Sequence, residues 1–191
     1  MIIKTNPDEF ENFVIDASNF KGNCEAVYFP ESVDEVVSIV KEANTNKTKV
    51  TIAGNGTGLT GARVPQNGIV IATDKLNKIL EINSTELYAL IEPAVLLSDF
   101  QKEIKTKNLF YPPDPTETNC YIGGTVATNA SGAKTFKYGP TRDYVIGLQV
   151  VLPDGEVIDL ERGKQKAIEY DLSLTTQSGK IISLQIPDYT F

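Results

Sequence analysis

Lys49-Val50-Thr51-Ile52-Ala53-Gly54-Asn55-Gly56-Thr57-Gly58-Leu59-Thr60-Gly61 is the stretch on which the reading of this chain turns. Lys49 to Ala53 is rich in β-branched residues and reads as a strand. It runs directly into four glycines within the eight positions from Gly54 to Gly61. Glycine admits positive φ and close backbone approach, so successive N–H groups can point into one concavity. Such a nest binds phosphate without cationic side chains. Thr57 and Thr60 can add hydroxyl donors, and Arg63 can add charge. A plain glycine-rich turn after a strand is the alternative.

Gly56-x-Gly58-x-x-Gly61 formally matches the dinucleotide fingerprint, and Glu81 falls about where the ribose-binding acid belongs. That fingerprint must open a helix inside a strand–helix–strand unit. Here Pro65 interrupts, and the next strand starts near Ile69, so there is no room for the helix and the return. A P-loop fails as well, because no Gly-Lys-Ser/Thr closes the run.

Upstream of the loop, Asn6-Pro7-Asp8-Glu9 reads as a helix start, with the helix running to about Ala17. Ala26 to Phe29 reads as a strand. Ser32-Val33-Asp34-Glu35 fits the capping-box pattern, and Val33, Val36, Val37 and Val40 give a helix over Ser32 to Ala43. Ile69 to Ala72 completes a strand–helix–strand arrangement that favours parallel strands. Downstream, Leu80 to Ile82 and Tyr88 to Glu92 are short strands, and Ser98 caps a helix to about Lys107 with Leu97, Phe100 and Ile104 inward. Val145 to Leu152 and Glu156 to Leu160 flank an Asp154-Gly155 turn. Ser173 to Thr176 and Lys180 to Ile186 flank Ser178-Gly179. The layout changes near 83–92, from alternating strands and helices to antiparallel hairpins. The fold class is therefore α+β, with a small parallel β/α subdomain over about 20–92, a mainly antiparallel one over about 93–191, and a cleft between them.

Composition removes several chemistries. The 191 residues contain no histidine, which excludes a Ser-His-Asp triad, a Cys-His dyad and an imidazole metal site within the chain. Cys24 and Cys120 make neither a zinc ligand set nor a disulfide framework, and two free thiols suit a reducing compartment. A formal net charge of −7 disfavours a general nucleic-acid surface or a polybasic membrane patch. No apolar run approaches the roughly 18 residues of a transmembrane helix, and Met1 to Phe10 lacks the apolar core of a signal peptide. A soluble cytoplasmic chain is expected.

A second distinctive region begins at Pro112-Pro113-Asp114-Pro115-Thr116, stiffened by its prolines. It continues through Ile122-Gly123-Gly124-Thr125-Val126-Ala127-Thr128-Asn129-Ala130-Ser131-Gly132-Ala133, where nearly every side chain is small or hydroxylic. A helix turn there offers open N–H groups without bulk, fit for a flat ring or a diphosphate. Close packing of two backbones is the alternative.

These two regions, together with Tyr138-Gly139, Arg142-Asp143-Tyr144-Val145 and Leu148-Gln149-Val150-Val151-Leu152-Pro153-Asp154-Gly155, occur in order over about Ala26 to Leu160. As a set they resemble the PCMH-type FAD-binding domain of the vanillyl-alcohol-oxidase group. The resemblance is to its flavin-linked 2-hydroxy-acid dehydrogenases, of the glycolate oxidase and D-lactate dehydrogenase kind. The resemblance implies oxidation of a 2-hydroxy acid by hydride transfer to FAD in the complete enzyme. It implies that Gly54, Asn55, Gly56, Thr57, Gly58, Leu59 and Gly61 hold the FAD pyrophosphate. Pro113, Asp114, Thr116, Ile122, Gly123, Gly124, Ala127, Thr128, Ser131 and Gly132 would line the flavin and ribityl chain, with Tyr138 and Gly139 nearby.

Covalent members tether the flavin through His or Cys. There is no His here, and Cys120 lies off the tether spacing, so non-covalent FAD and a packed Cys120 are expected. Asp143 beside Arg142 reads as a structural ion pair, and Asp114 as an acceptor for a flavin or backbone donor. The family continues beyond a segment like Ile186 to Phe191 into a further FAD motif and a cap domain with the substrate-binding arginines and catalytic histidine. The resemblance thus implies an N-terminal portion without catalytic residues or metal ligands, inactive alone, with a cap domain or electron acceptor as partner. A non-catalytic interaction module that kept the fold and lost the flavin is the alternative.

Overall fold

Ile69, Val70, Ile71 and Ala72 are all buried, and they fix the centre of the first half of the molecule. An uninterrupted apolar run is what a strand covered on both faces requires. The computed structural model describes residues 1–188, and in it this run is one of the two inner strands of a four-stranded sheet. The strands are β1 (Ile2–Lys4), β2 (Ala26–Phe29), β3 (Val50–Ala53) and β4 (Ile69–Ala72), in spatial order β1-β2-β4-β3. β2, β4 and β3 run parallel, and β1 adds an antiparallel edge. The helix α1 (Val33–Asn46) connects β2 to β3. Its flanking strands are parallel, as the sequence implies, but β4 inserts between them.

Period-two alternation divides β2 and β4 between two cores. Ala26, Ile69 and Ile71 pack against Ile39 and Ala43 of α1. Val27, Phe29, Val70 and Ala72 turn the other way and pack with Ala53 and Phe10. The capping signal for α1 is realised with a shift. Ser32 Oγ accepts from Glu35 N at 3.2 Å, while Glu35 Oε2 accepts from Glu31 N at 2.8 Å, one residue before the usual box position. α1 runs past the expected Ala43 to Asn46, where Lys47 in a left-handed conformation, φ 56°, ends it.

The helix expected from Asn6 to Ala17 does not form. Asn6 does accept from Asp8 N, but two 3-10 turns follow, Pro7–Glu9 and Glu11–Phe13. In a 3-10 turn residues three apart eclipse, which brings both Phe10 and Phe13 onto the sheet core. Core packing therefore overrides helix propensity.

A second core lies under the hairpin β5 (Ile79–Asn83) and β6 (Tyr88–Ile91). Val95, together with Leu97, Phe100 and Ile104 of the helix α2 (Leu97–Thr106), closes it with Cys120 and Ile122. α2 has no side-chain cap, so the Ser98 cap is not realised. Leu97 N and Ser98 N donate instead to the carbonyls of Cys120 and Thr118, at 3.0 and 3.3 Å. Short helices α3 (Ile122–Ala127) and α4 (Thr135–Tyr138) follow. A 3-10 turn over Thr141–Tyr144 delays the next strand, so β7 (Gly147–Val151) starts later than Val145. It pairs antiparallel with β8 (Val157–Glu161), and β9 (Asp171–Thr175) pairs with β10 (Ile181–Gln185). Both hairpins fall where their turn residues indicate.

Ile71 is 1% exposed and serves the α1 face alone. Ile71→Ala is expected to lower stability by about 2–5 kcal/mol, read from the urea midpoint at unchanged m.

Candidate functional site

Because β2, β4 and β3 are parallel, their C-terminal ends share one edge of the sheet, the edge where open α/β sheets bind ligands. The glycine loop leaves β3 there. Thr73 N and Oγ1 both donate to Ala53 O, at 3.0 and 3.3 Å, and clamp the strand end from which the loop starts. The loop's rim is also tied down. Ala17 N donates to Gly56 O at 3.0 Å, Arg63 Nη1 to Gly54 O at 2.6 Å, and Gly61 N to Asp16 Oδ2 at 2.8 Å. Between these ties, the N–H groups of Asn55, Gly56, Thr57, Gly58, Leu59 and Thr60 have no hydrogen-bond partner among the described residues. The hydroxyls of Thr57 and Thr60 are free in the same sense. Gly56 has φ +75°, and a Cβ there would lie 2.6 Å from Arg63 Nη1. At Gly58 a Cβ would meet nothing within 4 Å, so the loop opens outward at that residue.

Beneath the loop sits a polar cluster drawn from four distant segments. Asp16 is buried and also accepts from Ser18 N at 3.0 Å. Burial pushes its carboxyl upward, but the Ser18 and Gly61 bonds and the charge of Arg63 outweigh that and hold it below the usual carboxylate range. Arg63 lies over the Phe13 ring, 5.4 Å from its centroid, and its Nη2 donates to Asn12 O. Tyr121 Oη reaches Asp74 Oδ1 at 3.4 Å, and burial with the Asp74 charge raises the Tyr121 hydroxyl so that it stays protonated. Two buried atoms in this cluster, Arg63 Nε and Asp74 Oδ2, have no partner among the described residues.

The structure brings the two distinctive regions together. Asn55 Nδ2 donates to Asn119 O at 2.6 Å, and Gly54 faces the Tyr121 ring. Ile122, just after these contacts, starts α3. The expectation of open N–H groups at its first turn needs correction. Ile122 N and Gly123 N donate to Val95 O and Pro93 O at 2.9 and 2.8 Å, which leaves Gly124 N as the open donor of the three. A Cβ on Gly124 would face open space, whereas one on Gly123 would strike Pro93.

Gly132 is a close-approach residue. A Cβ there would stand 1.6 Å from Asp114 O, and Gly132 bridges Pro115 in antiparallel fashion. This crossing fixes the Pro113 to Thr116 strip against the 122–132 segment. Lys134 Nζ then pairs with Asp114 Oδ2 at 3.2 Å and lies over the Phe110 ring. Asp114 thus has a cation partner that the sequence did not suggest. Ala127, Thr128 and Ser131 are exposed beside it, and Thr128 Oγ1 donates to Gly124 O. Tyr138 stacks edge-on with Phe110, and its carbonyl accepts from Tyr144 Oη at 2.6 Å. Gly139 packs over the Asp143 carboxylate, and Asp143 pairs with Arg142 at 3.8 Å on the surface. Cys120 is buried in the second core, and burial raises its thiol, so it packs as a small apolar residue. Among the described residues no group of His, Cys, Asp or Glu is arranged to hold a metal ion, and no helix is long and apolar enough to cross a membrane.

Sequence reasoning missed Asp16, Asp74, Tyr121 and Asn119. Asp16-Ala17-Ser18 carries an Asx-turn signal, but nothing local ties it to a loop 45 residues on.

A family model described as FAD binding domain matches residues 24–161. D-lactate dehydrogenase of Anaerostipes hadrus is 43% identical over 141 residues, which are 73% of this chain and 30% of that protein. The glycolate oxidase subunit GlcD of Bacillus subtilis is 39% identical over 136 residues, 70% of this chain and 29% of that protein. The chain therefore spans about 30% of the length of these curated relatives. Among solved structures, 6-hydroxy-D-nicotine oxidase from Arthrobacter nicotinovorans superposes with a TM-score of 0.77 at 21% identity, over 85% of this chain and 36% of that one. The fold is the α+β PCMH-type fold that the sequence resemblance implies.

Gly132→Ala is expected to lower the melting temperature markedly, since a backbone must move and overpacking of this kind costs ~1–3 kcal/mol or more. Gly58→Ala should leave it within about a degree or two, and thermal unfolding of the two variants checks the contrast. Asp16 gives a pH signature. Its folded-state carboxyl lies below the unfolded value, so its stabilisation is present above the unfolded value and is lost as pH falls through the folded one. The stability gap between wild type and Asp16→Asn, measured by denaturation across pH, should be full at neutral pH and close in acid below about pH 4.

Proposed function

The chain belongs to the FAD binding domain family, and from that premise we propose that it is the cofactor-binding portion of a cytoplasmic flavin-dependent oxidoreductase acting on a small 2-hydroxy acid. The cofactor of the family is FAD. One observation carries the assignment to this chain: six consecutive backbone donors stand unpaired among the described residues, on a glycine loop at the C-terminal edge of the parallel strands.

The residues present fit the group. A diphosphate needs convergent donors and no bulk, and Asn55 to Thr60 offer N–H groups and two free hydroxyls beside a Gly58 that opens onto empty space. A flat ring needs a wall of small side chains. Gly124, Ala127, Thr128 and Ser131 are exposed together along and after α3 and supply it. The Gly132–Pro115 crossing sets the Pro113, Asp114 and Thr116 strip beside that wall.

These residues divide the work of holding the cofactor. Gly54, Gly56 and Gly61 shape the loop, while Asn55 locks it to the start of the second segment through Asn119. The N–H groups from Asn55 to Thr60, Leu59 included, bind the diphosphate. Ile122, Gly123 and Gly132 hold the wall in place, and Tyr138 and Gly139 border it. Bound FAD supplies the two-electron acceptor for oxidation of the hydroxy acid. The protein's own residues orient it and exclude water from it. No histidine is present to serve as a base, and both thiols are free. On this reading the chain's own residues hold FAD without a covalent bond.

Titration of the purified chain with FAD should give saturable binding, and acid precipitation should release all of the flavin into the supernatant. Gly58→Val, which projects into open space and leaves the fold intact by circular dichroism, should weaken binding by about tenfold or more. Flavin retained in the pellet would overturn the non-covalent reading. Wild-type affinity in Gly58→Val would overturn the assignment of the loop.

A further inference from the structure

Arg63 is the one cationic residue between Lys49 and Lys75, and its position below the glycine loop is peculiar in an acidic protein. Its guanidinium spans two backbones. Nη1 donates to Gly54 O at 2.6 Å, Nη2 donates to Asn12 O, and the plane rests over Phe13 at 5.4 Å from the centroid. Its Nη1 lies 2.6 Å from where a Cβ on Gly56 would be, so it sits directly against the loop backbone. Nε is buried without a partner among the described residues.

Two carboxylates face this guanidinium, Asp16 and Asp74, and neither makes a direct ion pair with it among the described residues. Without Arg63 the loop would stand over two unbalanced negative charges, on a protein of net charge −7. A diphosphate bound above would then be repelled through a partly buried, weakly screened region. The loop would also lose the tie at Gly54 that holds its backbone at the end of β3.

We propose that Arg63 is a positioning residue for anion binding. It holds the Gly54–Gly56 backbone in its open shape and offsets the Asp16 and Asp74 charges, so that the loop's N–H groups accept a diphosphate. The inference rests on the FAD reading of the loop. It adds a determinant that acts through the backbone rather than by touching the ligand. Burial lowers the guanidinium's proton affinity and the two carboxylates raise it, and Arg63 remains a cation at any physiological pH.

The test is the affinity of the full chain for FAD, followed by flavin fluorescence at low and high salt, for wild type, Arg63→Gln and Arg63→Lys. Melting curves establish that each variant is folded. Arg63→Gln should bind about tenfold more weakly at low salt, with an altered dependence of affinity on salt, a readout that a purely structural bracket would not move. Arg63→Lys keeps the charge and loses the two-carbonyl bracket, so it should keep the wild-type salt dependence at intermediate affinity. Should Arg63→Gln fail to fold, the lysine variant decides, and wild-type affinity in it overturns the bracket. A folded Arg63→Gln with wild-type affinity and salt dependence overturns the proposal while leaving the FAD reading standing. Absence of FAD binding by wild type overturns both.

Discussion

Backbone N–H groups that no protein acceptor takes are left to water or to a ligand, and nothing within the loop that carries them then fixes its shape. A loop that leaves six of them without a partner among the described residues is held by ties at its rim. In this protein the bracing comes from three hydrogen bonds at the rim: Ala17 N to Gly56 O, Arg63 Nη1 to Gly54 O, and Gly61 N to Asp16. All three satisfy rim groups and leave the middle donors alone. Asp16 reaches Gly61 from 45 residues away, and the packing of Phe10 and Phe13 on the sheet core docks the segment that carries it.

The second dependence is steric. The Pro113 to Thr116 strip and the segment after α3 touch at Gly132, where the opposing carbonyl comes too near for any side chain. That contact, with the Asp114–Lys134 pair, makes one surface of two pieces of chain. The first loop joins that surface through Asn55 and Asn119, and through Gly54 against Tyr121. Glycines in this region therefore serve two purposes. Gly123 and Gly132 let backbones cross, and Gly58 and Gly124 leave room above the backbone.

Charge adds a third element. The chain is acidic, so on the proposed reading an anionic ligand is met by backbone dipoles, with Arg63 offsetting Asp16 and Asp74 beneath them, rather than by a general field. The guanidinium of Arg63 and the unpaired amides work at short range, where the mean charge of the protein counts least. The surface pairs elsewhere, such as Lys102 with Asp99, lie in solvent and have little part in this.

Much of this was legible in order along the chain. The apolar run Ile69 to Ala72, the capping residues before α1, the glycine turns of the last two hairpins and the two small-residue regions all act through neighbours a few positions away. Local sterics and periodicity are written in local sequence. The resemblance over about Ala26 to Leu160 also agrees with the family match at 24–161. What the sequence could not determine involves partners far apart in the chain. The N-terminal segment became 3-10 turns because two phenylalanines had a core to reach, and α2 started without a cap because the Thr118–Cys120 backbone supplied acceptors. Asp16, Asp74 and Tyr121 entered the site only once the sheet placed them below the loop. Those contacts are fixed by packing and by the need to satisfy buried polar groups, which depend on the whole fold rather than on any window of sequence.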